Sequence, residues 1–212
     1  IYHHWSVKQR ELEYEKLRQE ETLSAATETV IAEPETEEST EETVIYCDSV
    51  YDFGQLHEQN QDIYAWIVVP GTQVDYPLLQ SETDNYYLDY NLDHSKGYPG
   101  CIYTNQCNRK DFSDYNTVLY GHNMKNGSMF AQLKKFTQDE ETYKKSKYFW
   151  IFTPEKNYRY EIISAYTTGV NSDTYTLFKG PGEEFEKYLE KIRGYSEIQT
   201  DAEGMNIKDK II

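Results

Sequence analysis

The chain has 212 residues, 21 of them Lys or Arg and 37 Asp or Glu, for a formal charge of −16. That length suits one core with appendages, and the acidic balance would repel a phosphate backbone rather than steer it in, which argues against nucleic acid as a partner. Hydrophobic residues at 38%, with 21 tyrosines, exclude a chain disordered throughout, and no apolar run reaches the roughly 18–20 residues that cross a bilayer.

Residues 1–27 read as a helical stem. The stretch 6–23 is rich in helix formers but carries only a thin apolar stripe, Val7, Leu12 and Leu17, so it suits a solvated stalk better than a core helix. Residues 28–46 read as an acidic linker: between Glu28 and Glu42 there are seven glutamates and no Lys or Arg, a composition that cannot offset its ordering entropy by burial. The folded domain is placed at 47–212.

Asp52 to Leu56 opens a short amphipathic helix that leads into Tyr64–Val69, an apolar run of strand length broken by Pro70-Gly71. Extended character resumes over Val74–Leu79, with Pro77 arguing for an edge or a boundary. Further strands are predicted at 100–104, 117–121, 148–152 and 158–166, the last because Tyr158, Tyr160, Ile162, Ser164 and Tyr166 alternate on one face. Two helices interrupt them. One is capped by Ser128 and carries Met129, Phe130, Leu133 and Phe136; the other follows Pro181-Gly182, with Phe185, Tyr188, Leu189 and Ile192 on one face. Short, closely spaced strands with docked helices predict a mainly β fold with helical decoration, a small barrel or sandwich.

Chemistry concentrates in one place. An apolar strand ends at Gly121-His122, and a polar, glycine-containing loop follows. An imidazole at a strand terminus is held by the scaffold yet open to solvent, and it titrates near neutrality. The alternative is a turn histidine with a backbone hydrogen bond. His3, His4, His57 and His94 lack paired metal-ligand spacing, so no metal or other cofactor is expected. The three cysteines form no CxxC and suggest neither a disulfide framework nor a zinc ribbon. Cys101 falls in a strand interior, Cys47 in the entry segment and Cys107 in the polar loop 105–114, so none is assigned as a nucleophile.

The stretch Leu119-Tyr120-Gly121-His122-Asn123-Met124-Lys125-Asn126-Gly127-Ser128-Met129-Phe130 resembles the histidine motif of class B sortases, membrane-anchored cysteine transpeptidases of Gram-positive bacteria. The likeness runs from about Ser49 onward. Ala65-Trp66-Ile67, Pro70-Gly71-Thr72 and Asp75-Tyr76-Pro77 resemble the family's first barrel strands, Gly100–Tyr103 the strand before the histidine, and Ser164-Ala165-Tyr166 one after it.

The resemblance implies a sortase-type closed β-barrel and His122 as the catalytic imidazole. It also implies that Asp84, Leu88 and Tyr175 wall the groove for a sorting signal. The partners implied are surface proteins bearing that signal and an amine of the peptidoglycan precursor, with a membrane helix upstream of Ile1 and a location on the outer face of the plasma membrane. The family's nucleophile lies in a Thr-Leu-x-Thr-Cys motif after a segment like Ile207–Ile212, and its arginine lies on the next strand. Neither is present in these 212 residues. The chain is therefore expected to lack its last barrel strands and to be inactive as it stands. The alternative reading is a non-catalytic sortase-like barrel that binds surface-protein signals or wall components.

Overall fold

The computed structural model describes residues 2–24 and 51–200, with side chains of the first helix described from Val7 to Gln19. The linker at 28–46, the domain start at Cys47 and the segment Ile207–Ile212 lie outside the described residues.

Helix α1 spans Tyr2–Ser24 and corrects the solvated-stalk expectation. Val7, Tyr14 and Leu17 are buried while Leu12 is exposed, so the face that matters is set by Tyr14, which the apolar stripe had omitted. Tyr14 meets Tyr76 edge to face at 5.1 Å, and Arg18 donates through Nε to the Asp75 carbonyl at 2.7 Å and stacks over the Tyr76 ring. Helix α1 is thus part of the core.

Helix α2, Phe53–Gln59, starts where Asp52 accepts a hydrogen bond from the Gln55 N–H. Strands β1 (Ile63–Val69) and β2 (Val74–Leu79) follow, joined through Pro70-Gly71, with Gly71 at φ 77. The chain then runs through helix α3 (Tyr86–Asp89) before strand β3 (Ile102–Thr104) and strand β4 (Leu119–Tyr120). After the histidine loop, a 3-10 turn over Phe130–Lys134 continues into α4 (Lys135–Gln138), α5 (Glu140–Lys145), β5 (Tyr148–Phe152) and β6 (Asn157–Glu161). A second 3-10 turn, Asp173–Tyr175, precedes α6 (Glu183–Gly194).

The six strands form one sheet in the order β4-β3-β2-β1-β5-β6. Only the β2–β3 pair is parallel, which demands a crossover. Residues 80–101 make that crossover and lay α3 beside β3. Six of the seven β1 residues are buried, because the sheet curls and both faces of its middle strand are covered. A concave groove of about 1320 Å³ is lined by Ile67 and Val69 of β1, Leu119 of β4, Phe149 of β5 and Tyr160 of β6.

Three local expectations need correction. Strand β6 stops at Glu161 rather than Tyr166, because Glu161 pairs with Tyr148, where β5 begins. Beyond it, Ala165 accepts instead from the Glu197 N–H at 2.8 Å. Ser128 does not cap a helix: its hydroxyl donates to Asn126 Oδ1 at 2.8 Å, and Met129 intervenes at φ 56 before the 3-10 turn starts. Helix α5 was not anticipated, although its cap Asp139, accepting from the Glu141 N–H, is an ordinary start signal.

Candidate active site

His122 lies two residues past the end of β4, and the register of β3 on β4 (Tyr103 with Tyr120, Thr104 with Leu119) places it beside the start of β3. Gly121 makes that approach possible. A Cβ there would overlap Ile102 Cδ1 and the Phe130 ring, so only glycine lets the backbone lie flat at this point. The loop after His122 closes on itself: Asn123 bridges to Met129, and the Phe130 N–H donates to the His122 carbonyl at 3.1 Å.

The half-exposed imidazole has two neighbours. Its Nε2 lies 2.7 Å from the Leu88 carbonyl oxygen, and the Tyr98 ring packs against it at 4.9 Å between centroids. A carbonyl oxygen only accepts, so this bond requires the proton on Nε2. Nδ1 is then the atom that can gain and lose a proton while the ring stays anchored. The two sequence readings of His122 therefore coincide in part: it makes a hydrogen bond to backbone, and that bond orients a ring with one nitrogen left for chemistry.

Leu88 reaches His122 through its carbonyl, while its side chain stays exposed. Tyr175 is 40% exposed and stacks on Tyr120 at 6.0 Å, two residues before His122, and Tyr120 in turn stacks on Tyr103 at 5.2 Å. Asp84 is exposed at the far end of this aromatic row. Its Oδ2 accepts from Asn85 Nδ2 at 3.0 Å, and Asn85 Oδ1 accepts from the Tyr103 hydroxyl at 2.9 Å. Asp84 is not the cap of α3, a position held by Asn85. Burial, with the nearby charges of Asp84 and Asp89, raises the Tyr103 phenol above its ordinary value, so it remains a neutral donor to Asn85.

Of the expected site residues, Leu88 thus contacts His122 directly, while Tyr175 and Asp84 connect to the neighbouring strands through Tyr120 and through Asn85 and Tyr103. Sequence reasoning missed Tyr98, whose polar setting gives no signal. It also missed Asn116 and Tyr188, which hold the Tyr175 turn.

Neither described cysteine can serve His122. Cys101 is buried, its Sγ donates to the Tyr90 carbonyl at 3.7 Å, and burial pushes its thiol up to about 12, so the thiolate is scarce at neutral pH. Cys107 is exposed in the connection at the opposite end of the β3–β4 pair from His122. Among the described residues, no three His, Cys, Asp or Glu side chains gather to hold a metal, and no helix is long and apolar enough to cross a membrane.

The sortase-domain family profile matches residues 67–188, more than half of the 212. The chain belongs to the sortase family. It is similar to sortase B of Listeria monocytogenes, 36% identical over 159 residues that cover 74% of this chain and 63% of that protein. It is also similar to sortase B of Staphylococcus aureus, 29% identical over 162 residues, 76% of this chain and 65% of that one. Class B is the branch these relatives share with it, and the chain spans less than two thirds of the length of either. A solved Staphylococcus aureus sortase B–substrate complex superposes with a TM-score of 0.78 over 96% of this chain and 86% of that one. At 24% identity that match speaks for the shared sortase fold.

Proposed function

We propose that this chain carries the acid–base part of a class B sortase, a cysteine transpeptidase that cleaves a sorting signal of a surface protein and joins the protein to a peptidoglycan amine. The observation that carries the reading is the placement of His122: half-exposed, anchored through Nε2 by the Leu88 carbonyl, next to Asn123 on the lining of the groove that Tyr175 also lines, and inside the span matched to the sortase domain.

In this reading a thiolate adds to the scissile carbonyl, and the oxyanion collapses with loss of the C–N bond. The leaving amine takes a proton from His122, and the acyl group stays as a thioester. An incoming amine then attacks the thioester, gives its proton to His122 and releases the thiolate. The burial of Cys101 and the remoteness of Cys107 leave neither of these two cysteines suited to be that thiolate, and in the proposed reaction an arginine stabilises the oxyanion. The reading also implies membrane attachment and a place on the outer face of a Gram-positive plasma membrane.

The test uses the intact protein and fluorogenic peptides taken from the C-terminal regions of surface proteins of the same organism. Cleavage with a trapped thioester is expected, and His122→Ala abolishes it without loss of fold. Turnover retained in His122→Ala overturns the reading, and binding without cleavage favours the non-catalytic barrel.

A further inference from the structure

Both segments that hold His122 rest on helix α1. On one side, the Tyr14 hydroxyl donates to the Gly100 carbonyl at 3.2 Å, and Arg10 reaches Ser95 Oγ and Asp93 Oδ2, each at 2.8 Å. This is the crossover segment that carries Tyr98 and Leu88. Gly100 sits so close to the Tyr87 and Leu88 carbonyls that a Cβ would overlap them, so Gly100 and the oxygen that receives His122 move together.

On the other side stands Tyr76, fully buried on β2. Its hydroxyl accepts from the Met129 N–H at 3.1 Å and donates to Glu11 Oε1 at 3.2 Å. Met129 is also fully buried and has φ 56, a conformation that costs a side-chain-bearing residue energy and persists only when its surroundings over-determine it. That strained residue closes the histidine loop, since it bridges Asn123 and the next residue bonds the His122 carbonyl. Glu11 and Tyr14 are three residues apart on one face of α1, and the Tyr14 and Tyr76 rings are in edge-to-face contact.

We propose that α1 is a positioning element for His122, acting through two hydroxyls: Tyr14, which sets the Leu88 oxygen and so the tautomer, and Tyr76, which sets the loop backbone at residue 122. The inference rests on His122 being the group that moves protons in the proposed reaction. Neither tyrosine touches His122 or the reacting atoms; each acts through the segment it bonds.

Tyr14→Phe and Tyr76→Phe remove one hydroxyl each and keep the aromatic packing. The readout is the histidine nuclear magnetic resonance of the intact protein, with isotope-labelled imidazole reporting the tautomer and titration of His122. Each variant is expected to move the His122 ring signals and reduce the Nε2–H population. With peptides that the parent cleaves, kcat falls about tenfold, the scale expected when a reacting group is slightly misplaced, with little change in KM. Tyr64→Phe is the control, because its buried hydroxyl bonds Thr104 Oγ1 at 2.9 Å, away from both segments; it leaves the His122 signals in place. Unmoved His122 signals in both variants, or an equal shift in the control, overturn the inference. The resonance reports the ring whether or not the protein cleaves anything, so failure of the sortase reading appears separately, as turnover retained in His122→Ala.

Discussion

Asn116 grips the carbonyl of Thr176 at 2.7 Å and that of Thr174 at 3.3 Å, bracketing Tyr175 with one side-chain amide. Asn116 is buried, and the Tyr188 hydroxyl of α6 donates to the same Thr174 oxygen at 2.7 Å. An exposed aromatic on an irregular segment is thereby given a fixed place beside Tyr120. Asn116→Ala removes the side-chain donor to the Thr176 carbonyl and one of the two to the Thr174 carbonyl, and is expected to cost about 1 kcal/mol in urea unfolding. The same variant raises KM for signal peptides, because Tyr175 loses its seat. An unchanged KM in a correctly folded variant counts against Tyr175 as a groove contact.

Gly121→Ala tests the close approach at the site. The added methyl meets Ile102 and Phe130, so overpacking of about 1–3 kcal/mol is expected. The displaced strand end also weakens the bond from the Phe130 N–H to the His122 carbonyl. Differential scanning calorimetry measures the first effect and amide hydrogen exchange at Phe130 the second.

The stem helix separates its two faces sharply. Tyr14→Ala deletes a buried ring and is expected to cost about 3–5 kcal/mol, whereas Leu12→Ala, at a site 50% exposed, stays within about 0.5 kcal/mol of the parent. Equal, small effects in chemical denaturation restore the picture of a solvated stalk.

Alkylation under native conditions at mildly alkaline pH is expected to modify Cys107 quickly and Cys101 only after unfolding, as peptide mass mapping shows directly. The linkage follows from the same burial. The folded Cys101 thiol is pushed up to about 12, above the ordinary thiol value of 9.0. Between those values the unfolded chain has lost its proton and the folded one keeps it, so this contribution to stability is complete below the lower value and declines as pH rises.

Buried Tyr14, Tyr64 and Tyr76 are shifted in the same direction by desolvation, from an ordinary value of 10.0. A thermal melting temperature that falls steeply above about pH 10 is the expected result. A flat profile through that range contradicts the burial of these phenols.

Much of this arrangement was legible in the chain. Short apolar runs of strand length, bounded by turn residues, located β1, β2 and β5 almost to the residue, and the apolar face of α6 was visible because its i, i+3, i+4, i+7 pattern is local. Strand ends were not legible where they depend on a partner, as at Glu161, and the helix expected after Ser128 gave way to a 3-10 turn behind a strained Met129. His122 was marked by its place at a strand terminus, while its catalytic role and the choice of Leu88, Asp84 and Tyr175 came from a resemblance of motifs. Tyr98 and Asn116 carry no such mark.

The sequence by itself determined most of the secondary elements and the presence of a solvent-accessible imidazole after Gly121, because periodicity, turn residues and the lack of a glycine side chain act over a few residues. Only the tertiary structure decided what that imidazole does with its two nitrogens and what stands behind it. Those properties come from the Leu88 carbonyl, 34 residues away, and from hydroxyls seated against a helix near the start of the chain. Such contacts join residues distant along the chain, and they exist only once the β2–β3 crossover and α1 have packed against the same sheet.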